Sequence, residues 1–501
     1  MKIFKHKYFR IFAFLLVFTF TFILRAHNYD KIPFSGHLEE HLYAWSGVYL
    51  IETGVPVSWS TLDYPKEATI YKGRVDYRGG EPMVYVDLQR PWLDEPPLFS
   101  LLVGWFAHIN NAIKEDVLPS AFIREPLIYI GTLSALMVFV IVRFLSGFWM
   151  GVLSMLMYGT IPIFVFSSRM AVPENLIALF LLVIIYLLLK FQINPKYYYI
   201  LPIPLLAGIA GLSKPTGYFL LPLAIFLVFS QAFTKKYEKI NLSYAIKLCA
   251  YMILAMVPFV IAFILYGIYF NADIFWRIVS IQGFRPVGFS SLAWFFISPA
   301  YDIFPLTESW YVFSLLSLAY FLFVPFKNSK DIVIFSTVYW ILIVMLSGGE
   351  GDLLPWYRYP LFPLLSIICT WGIRLLIEKA NFYTTFLSAG LLLGTRSLLV
   401  NAFRSNVSPT EYRVWISFLM FPSLIKILFD NAFLDKICKI IIVLVMIVGI
   451  YFNSFYIYNR FEIFCEHISC PITESNWLST LHFPFIWRFF TLHNYPFIKP
   501  S

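Results

Sequence analysis

Ser35–Trp45 reads SGHLEEHLYAW, with four ionisable side chains between His37 and His41. It follows, about ten residues on, an apolar run near 8–25 (IFAFLLVFTFTFIL) that is long enough to cross a bilayer. Two readings compete, and they imply different folds. His37-x-x-Glu40-His41 matches a zinc-peptidase pattern, which calls for a third ligand and an ordered cleft. Alternatively, Glu39 and Glu40 form an acidic pair opening a short helix just outside a membrane.

The rest of the chain decides between them. Of its 501 residues, 59% are hydrophobic, 20% aromatic and only 13% charged, with a mean hydropathy of +0.72. A water-soluble surface needs about twice that charged share, so lipid is the solvent for much of the chain. The net charge of +9 does not point to nucleic acid, because the basic residues are scattered between apolar runs. The five cysteines show no Cys-x-x-Cys spacing. Cys249, Cys369 and Cys438 lie in or beside apolar runs, whereas Cys465 and Cys470 are close enough to pair in an oxidising compartment.

Apolar runs appear near 8–25, 125–146, 148–166, 175–193, 198–213, 215–233, 243–268, 308–326, 331–347, 359–378, 382–399, 412–429 and 437–458. The expectation is an all-α polytopic membrane protein with about thirteen transmembrane helices. The first run resembles a signal peptide but lacks a clear small-x-small cleavage site, so it reads as a retained helix. The run at 97–110 follows Pro96-Pro97 and reads as interfacial or re-entrant. With the N-terminus cytoplasmic, Arg143, Lys190, Lys235, Lys236, Arg374 and Lys379 fall on the cytoplasmic side. Most acidic residues fall opposite, in a long, partly helical first outer loop (about 26–124) and a second at about 269–307. The chain divides into a membrane domain over 1–400, additional helices over 401–458 and an extracytoplasmic tail over 459–501. No internal repeat is evident, which counts against a transporter built of related halves.

The outer side gathers the residues that can carry chemistry. Tyr43 follows Glu39-Glu40, Asp94-Glu95-Pro96-Pro97 closes the first loop, and Arg169 and Glu174 occupy "SSRMAVPEN". Lys214 ends a span in "GLSKPTG", Arg277 and Arg285 lie in the second loop, and Arg358-Tyr359 opens a later span in "WYRYPLFP". Ionisable residues at membrane depth are costly and are functional candidates by default. Each also has a structural alternative: helix capping for the acids, interfacial snorkelling for the bases.

In this order, these residues resemble the GT-C superfamily of membrane glycosyltransferases, in particular the group of protein mannosyltransferase-like enzymes and lipid A aminoarabinose transferases. The resemblance covers most of about the first 380 residues. It implies transfer of a sugar from a polyprenyl-phosphate donor to a protein, glycolipid or glycan acceptor at the extracytoplasmic face of the plasma membrane. Glu39, Glu40 and Glu174 are then the catalytic candidates, with Glu39 as general base of an inverting displacement. Lys214, Arg358, Tyr359 and Arg277 are candidates for the donor phosphate. Tyr43, Asp94, Glu95 and Arg169 are candidates for substrate contacts. No cofactor is demanded, although two neighbouring carboxylates can hold a divalent cation. The sequence departs from the family pattern at two places. Glu39 stands where Asp is usual, and Glu95 stands before Pro-Pro where a Lys or His is usual. The competing functions are a polytopic transporter and an inactive binder of lipid-linked sugar.

Overall fold

The computed structural model describes residues 7–33, 38–75, 84–112, 118–233, 240–285, 287, 296, 305–324, 329–347, 355–379, 381–393, 408–429 and 431–459. His37, Cys465 and Cys470 lie outside these residues, as does the tail beyond 459.

The membrane body is helical because a backbone in lipid must satisfy its own hydrogen bonds. Its helices are α1 (Lys7–Ala26), α4 (Ser120–Ser146), α5 (Phe148–Thr160), α6 (Pro162–Ser167), α7 (Pro173–Ile193), α8 (Pro202–Ser213) and α9 (Leu220–Gln231). They continue with α10 (Leu242–Gly283), α11 (Ser309–Phe323), α12 (Asp331–Ser347), α13 (Leu361–Glu378), α14 (Phe382–Leu393), α15 (Pro409–Leu428) and α16 (Ala432–Asn459). The first long loop adds α2 (Leu38–Thr53) and α3 (Pro97–Ile109). Among the described residues, six helices are long and apolar enough to span a bilayer: α1, α4, α7, α10, α13 and α16. Several others are apolar but shorter, so the count of thirteen spans is not reproduced helix by helix.

Proline and glycine explain the breaks. α3, α6, α7, α8 and α15 all begin with proline, whose missing N–H is no loss in a first helical turn. Pro162 thereby divides the expected run 148–166 into α5 and α6. Gly147, at φ +93°, reverses the chain between α4 and α5 in a conformation that a side chain would strain. α10 runs well past the expected end at 268. Its backbone is extended at Asn271, whose Oδ1 accepts from the Ile274 N–H at 3.0 Å and caps a second helical segment. Part of the expected second loop is therefore helix.

The first loop is partly helical, as expected. It carries a three-stranded antiparallel sheet in the order β1 (Ser58–Trp59), β3 (Val84–Gln89), β2 (Thr69–Val75). Lys72 pairs opposite Asp87 and Ser58 opposite Gln89. α2 and α3 meet at two glycines, where a Cβ on Gly47 would lie 1.8 Å from the Ser100 carbonyl oxygen. Tyr43, Trp45, Leu88, Trp92 and Phe99 form a core beneath sheet and helices, continuous with Ile123 and Leu127 of α4. A smaller cluster of Tyr64, Leu93, Ile274, Phe275 and Ile278 docks the end of α10 onto this platform.

Candidate active site

Glu39 and Glu40 share the first turn of α2, but successive helical residues point about 100° apart. Glu40 faces inward and is fully buried. Arg124 of α4 grips it through Nε at 2.8 Å and Nη2 at 2.6 Å, and the Ala171 N–H donates to its Oε1 at 2.7 Å. The remaining Arg124 nitrogen, Nη1, donates to the carbonyls of Tyr29 and Pro33. This network fastens the start of α2 to the segment preceding α7. Two residues beyond Ala171, Pro173 starts α7, which places Glu174 in its first turn. Glu39, on the other side of α2, remains partly exposed.

Lys214, between α8 and the 3-10 turn Pro215–Phe219, is where these parts converge. Its Nζ donates to Glu174 Oε1 at 2.6 Å, with both side chains buried. Glu95 Oε1 lies farther off, at 3.8 Å from the same nitrogen. The Tyr357 ring is stacked under the ammonium, 4.7 Å from ring centroid to Nζ. Glu39 also acts electrostatically on Lys214, and Tyr43, one turn along α2, feels Glu95, Glu39, Glu174 and Tyr357. Arg285 reaches the Tyr357 hydroxyl at 3.5 Å.

Asp94 and Glu95 sit on the loop that enters α3. The Asp94 carboxylate accepts from Ser60 at 2.6 Å and Tyr64 at 2.7 Å, and the Asp94 carbonyl accepts from Gln282 at 2.8 Å. Burial pushes Asp94 up to about 6, against the hydrogen bonds from Ser60 and Tyr64. Burial pushes Glu95 up to about 8; Lys214 opposes this, and the neighbouring Glu174, Asp94 and Glu39 reinforce it.

The structure thus brings together Glu39, Tyr43, Glu95, Glu174 and Lys214, with Asp94 on their rim. It puts the other candidates elsewhere. Arg169 is buried and donates to the carbonyls of Ile32 and Leu24, bracing the end of α1. Arg277 pairs with Asp63 at an exposed position. Arg358 is buried and bonded to Tyr311 of α11, and Tyr359 packs on Phe362. Each of these bases has an observed packing or pairing partner of its own. Tyr357 was not singled out from sequence; it stands next to Arg358, and the turn Pro355–Arg358 directs its ring rather than the arginine toward Lys214. His37 of the zinc-peptidase pattern lies outside the described residues. His41 is buried edge-on against Trp45, and among the described residues no group of three His, Cys, Asp or Glu side chains is arranged to hold a metal.

The sequence model of the dolichyl-phosphate-mannose-protein mannosyltransferase family matches residues 94–272, a segment that includes Glu95, Glu174 and Lys214. ArnT from Cupriavidus metallidurans bound to undecaprenyl phosphate superposes with a TM-score of 0.51 at 14% identity, over 90% of this chain and 76% of that one. The fold is of the GT-C type. Apo ArnT from the same organism gives a TM-score of 0.53 at 12% identity, over 89% of this chain and 76% of that one. No curated protein matches by sequence. In this GT-C fold the cluster around Lys214 is built where the first-loop platform meets the ends of α7 and α8.

Proposed function

We propose that the chain is an integral membrane glycosyltransferase. It moves a sugar from a polyprenyl-phosphate donor to an acceptor hydroxyl at the extracytoplasmic face. One observation carries this reading: a partly exposed carboxylate, Glu39, acts electrostatically on the Lys214 of a buried Glu174–Lys214 ion pair where the first-loop platform meets the membrane helices. The mannosyltransferase family match over 94–272 and the GT-C fold support it.

Glu39 takes the proton of the acceptor hydroxyl as its oxygen attacks the anomeric carbon. The bond from that carbon to the phosphate oxygen breaks, and the lipid phosphate leaves with the electron pair. A single displacement inverts the anomeric centre. Lys214 stabilises the leaving phosphate by a charge-assisted hydrogen bond, while Glu174 fixes the ammonium in place. Arg285, bonded to Tyr357, is a second cation at the same edge. Glu40 is a positioning residue, since Arg124 and Ala171 occupy it completely. Written this way, the reaction needs no cofactor. The N-terminus is cytoplasmic, residues 1–400 form the catalytic membrane domain, and the helices beyond are accessory.

The test is transfer of labelled sugar from a panel of polyprenyl-phosphate sugars, using membranes carrying wild type beside Glu39→Gln. Loss of about a hundredfold or more is expected, the usual worth of a general base. Equal transfer by the variant, or no transfer by wild type from any donor, overturns the assignment. One feature favours the second reading, a lipid-linked-sugar binder without transferase activity. Lys214 is already hydrogen-bonded to Glu174 and has a further carboxylate, Glu95, close by.

A further inference from the structure

Lys214 faces two carboxylates, and one ammonium balances only one of them. Glu174 has taken that place at 2.6 Å, and Glu95 is left at 3.8 Å, beyond a good hydrogen bond. Glu95 Oε2 and Glu174 Oε2 are both buried, and neither has a hydrogen-bond partner among the described residues. The Glu95 side chain is only 14% exposed and that of Glu174 only 2%. With both carboxylates ionised, the Glu95–Glu174–Lys214 trio is net negative, which opposes a phosphate approaching Lys214. With Glu95 in its acid form the trio is neutral and offers an O–H beside the ammonium.

Resting on the transferase reading above, we infer that Glu95 is a donor-positioning residue that works as a neutral carboxylic acid, its O–H donating to a phosphate oxygen of the lipid-linked substrate beside Lys214. A phosphodiester offers only acceptors and carries a negative charge. It pairs with a protonated carboxyl and is repelled by an ionised one. The groups facing Glu95 are Glu39 and Tyr43 from α2, its neighbour Asp94, Glu174 from α7, Lys214 after α8, and Tyr357 before α13. Three of these are carboxyl groups and one is an ammonium; burial first, and then those three carboxyl groups against Lys214, keep the proton on Glu95. Burial lifts Glu95 to about 8, which agrees with the geometry. Tyr43 and Tyr357 are both raised above their ordinary value, and Asp94 lies near 6, so none of these three titrates where Glu95 does.

The sign follows from linkage. If the ligand binds the acid form, affinity is full below the Glu95 pKa and falls about tenfold per pH unit above it. The probe is a polyprenyl methyl phosphate, whose single charge does not titrate in the range used. Its binding to the full chain in nanodiscs is measured from about pH 7 to about pH 10, for wild type, Glu95→Gln and Glu95→Ala. Wild type is expected to lose affinity as pH rises above about 8. Glu95→Gln, whose amide donates at every pH, is expected to keep the low-pH affinity with a flat profile. Glu95→Ala is expected to bind more weakly throughout. A flat wild-type profile, or a Gln variant that tracks the wild-type slope, overturns the role of Glu95 while leaving phosphate binding intact. Absence of binding by folded wild type at any pH overturns the transferase reading itself, and this inference with it. The wild-type profile alone decides the matter if a variant fails to fold.

Discussion

Glu39 and Glu40 are chemically identical neighbours, and only their surroundings separate them. Glu40 is sealed against Arg124, and both are fully buried. Removing one partner of such a pair strands the other charge in a dry interior and costs about 3–5 kcal/mol. Arg124→Ala is therefore expected to unfold markedly earlier than wild type in a detergent melt, and Glu40→Ala likewise. Glu39→Gln, at a partly exposed position, is expected to melt with wild type while losing transfer. Were Arg124→Ala to melt unchanged, the network would not be what anchors α2. The sequence marked Glu39-Glu40 as a unit. It had no means of showing which one turns inward, because α2 is apolar on more than one side and packs against both α3 and the platform core. Arg169 is a similar case: an arginine on a loop suggests a ligand, and the fold has two of its nitrogens donating to the carbonyls of Leu24 and Ile32.

At the level of elements, the position of Glu39 depends on how closely α2 can approach α3. Gly47 and Gly104 face each other so tightly that a Cβ on Gly104 would lie 2.5 Å from the Gly47 Cα. The obstacle is backbone, which cannot swing aside. Gly47→Ala is expected to force the helices apart, costing about 1–3 kcal/mol or more, the range for overpacking a tight contact, and to lower transfer with it. Gly283→Ala, where a Cβ would meet open space, is the control and is expected to leave both melting and transfer unchanged. Nothing in the local sequence announced this crossing, since Gly47 and Gly104 lie far apart in the chain. The prolines were more legible. Pro97 marks a helix start from sequence, because a ring without an N–H fits the first turn, whereas the expected run 198–213 overran the start that Pro202 imposes on α8.

For the whole molecule, the two-sided charge distribution predicts which compartment holds the cluster. Glu67 and Lys379 are both exposed and fall on opposite sides of the proposed topology. In a background with Cys465 and Cys470 changed to Ser, Glu67→Cys is expected to react with a membrane-impermeant thiol reagent applied to intact cells. Lys379→Cys is expected to react only after the membrane is opened. Cys249, Cys369 and Cys438 are buried and contribute little background. The reverse pattern would place the cluster in the cytoplasm and overturn the proposed orientation.

By itself the sequence determined that the chain lives in lipid and is helical there. Those properties follow from composition and local pattern, which every segment carries within itself. It also determined the order Glu39, Glu95, Glu174, Lys214 along the chain, and so the resemblance to the GT-C group. Only the tertiary structure decided that these four converge, that Tyr357 joins them, and that Arg169, Arg277 and Arg358 are engaged elsewhere. The sheet in the first loop likewise appeared only in three dimensions, stabilised by a core drawn from α2, α3 and α4. The physical reason is common to all of these. A side chain's partners across helices are set by which faces pack, and that choice is a property of the assembled core rather than of any single stretch of residues.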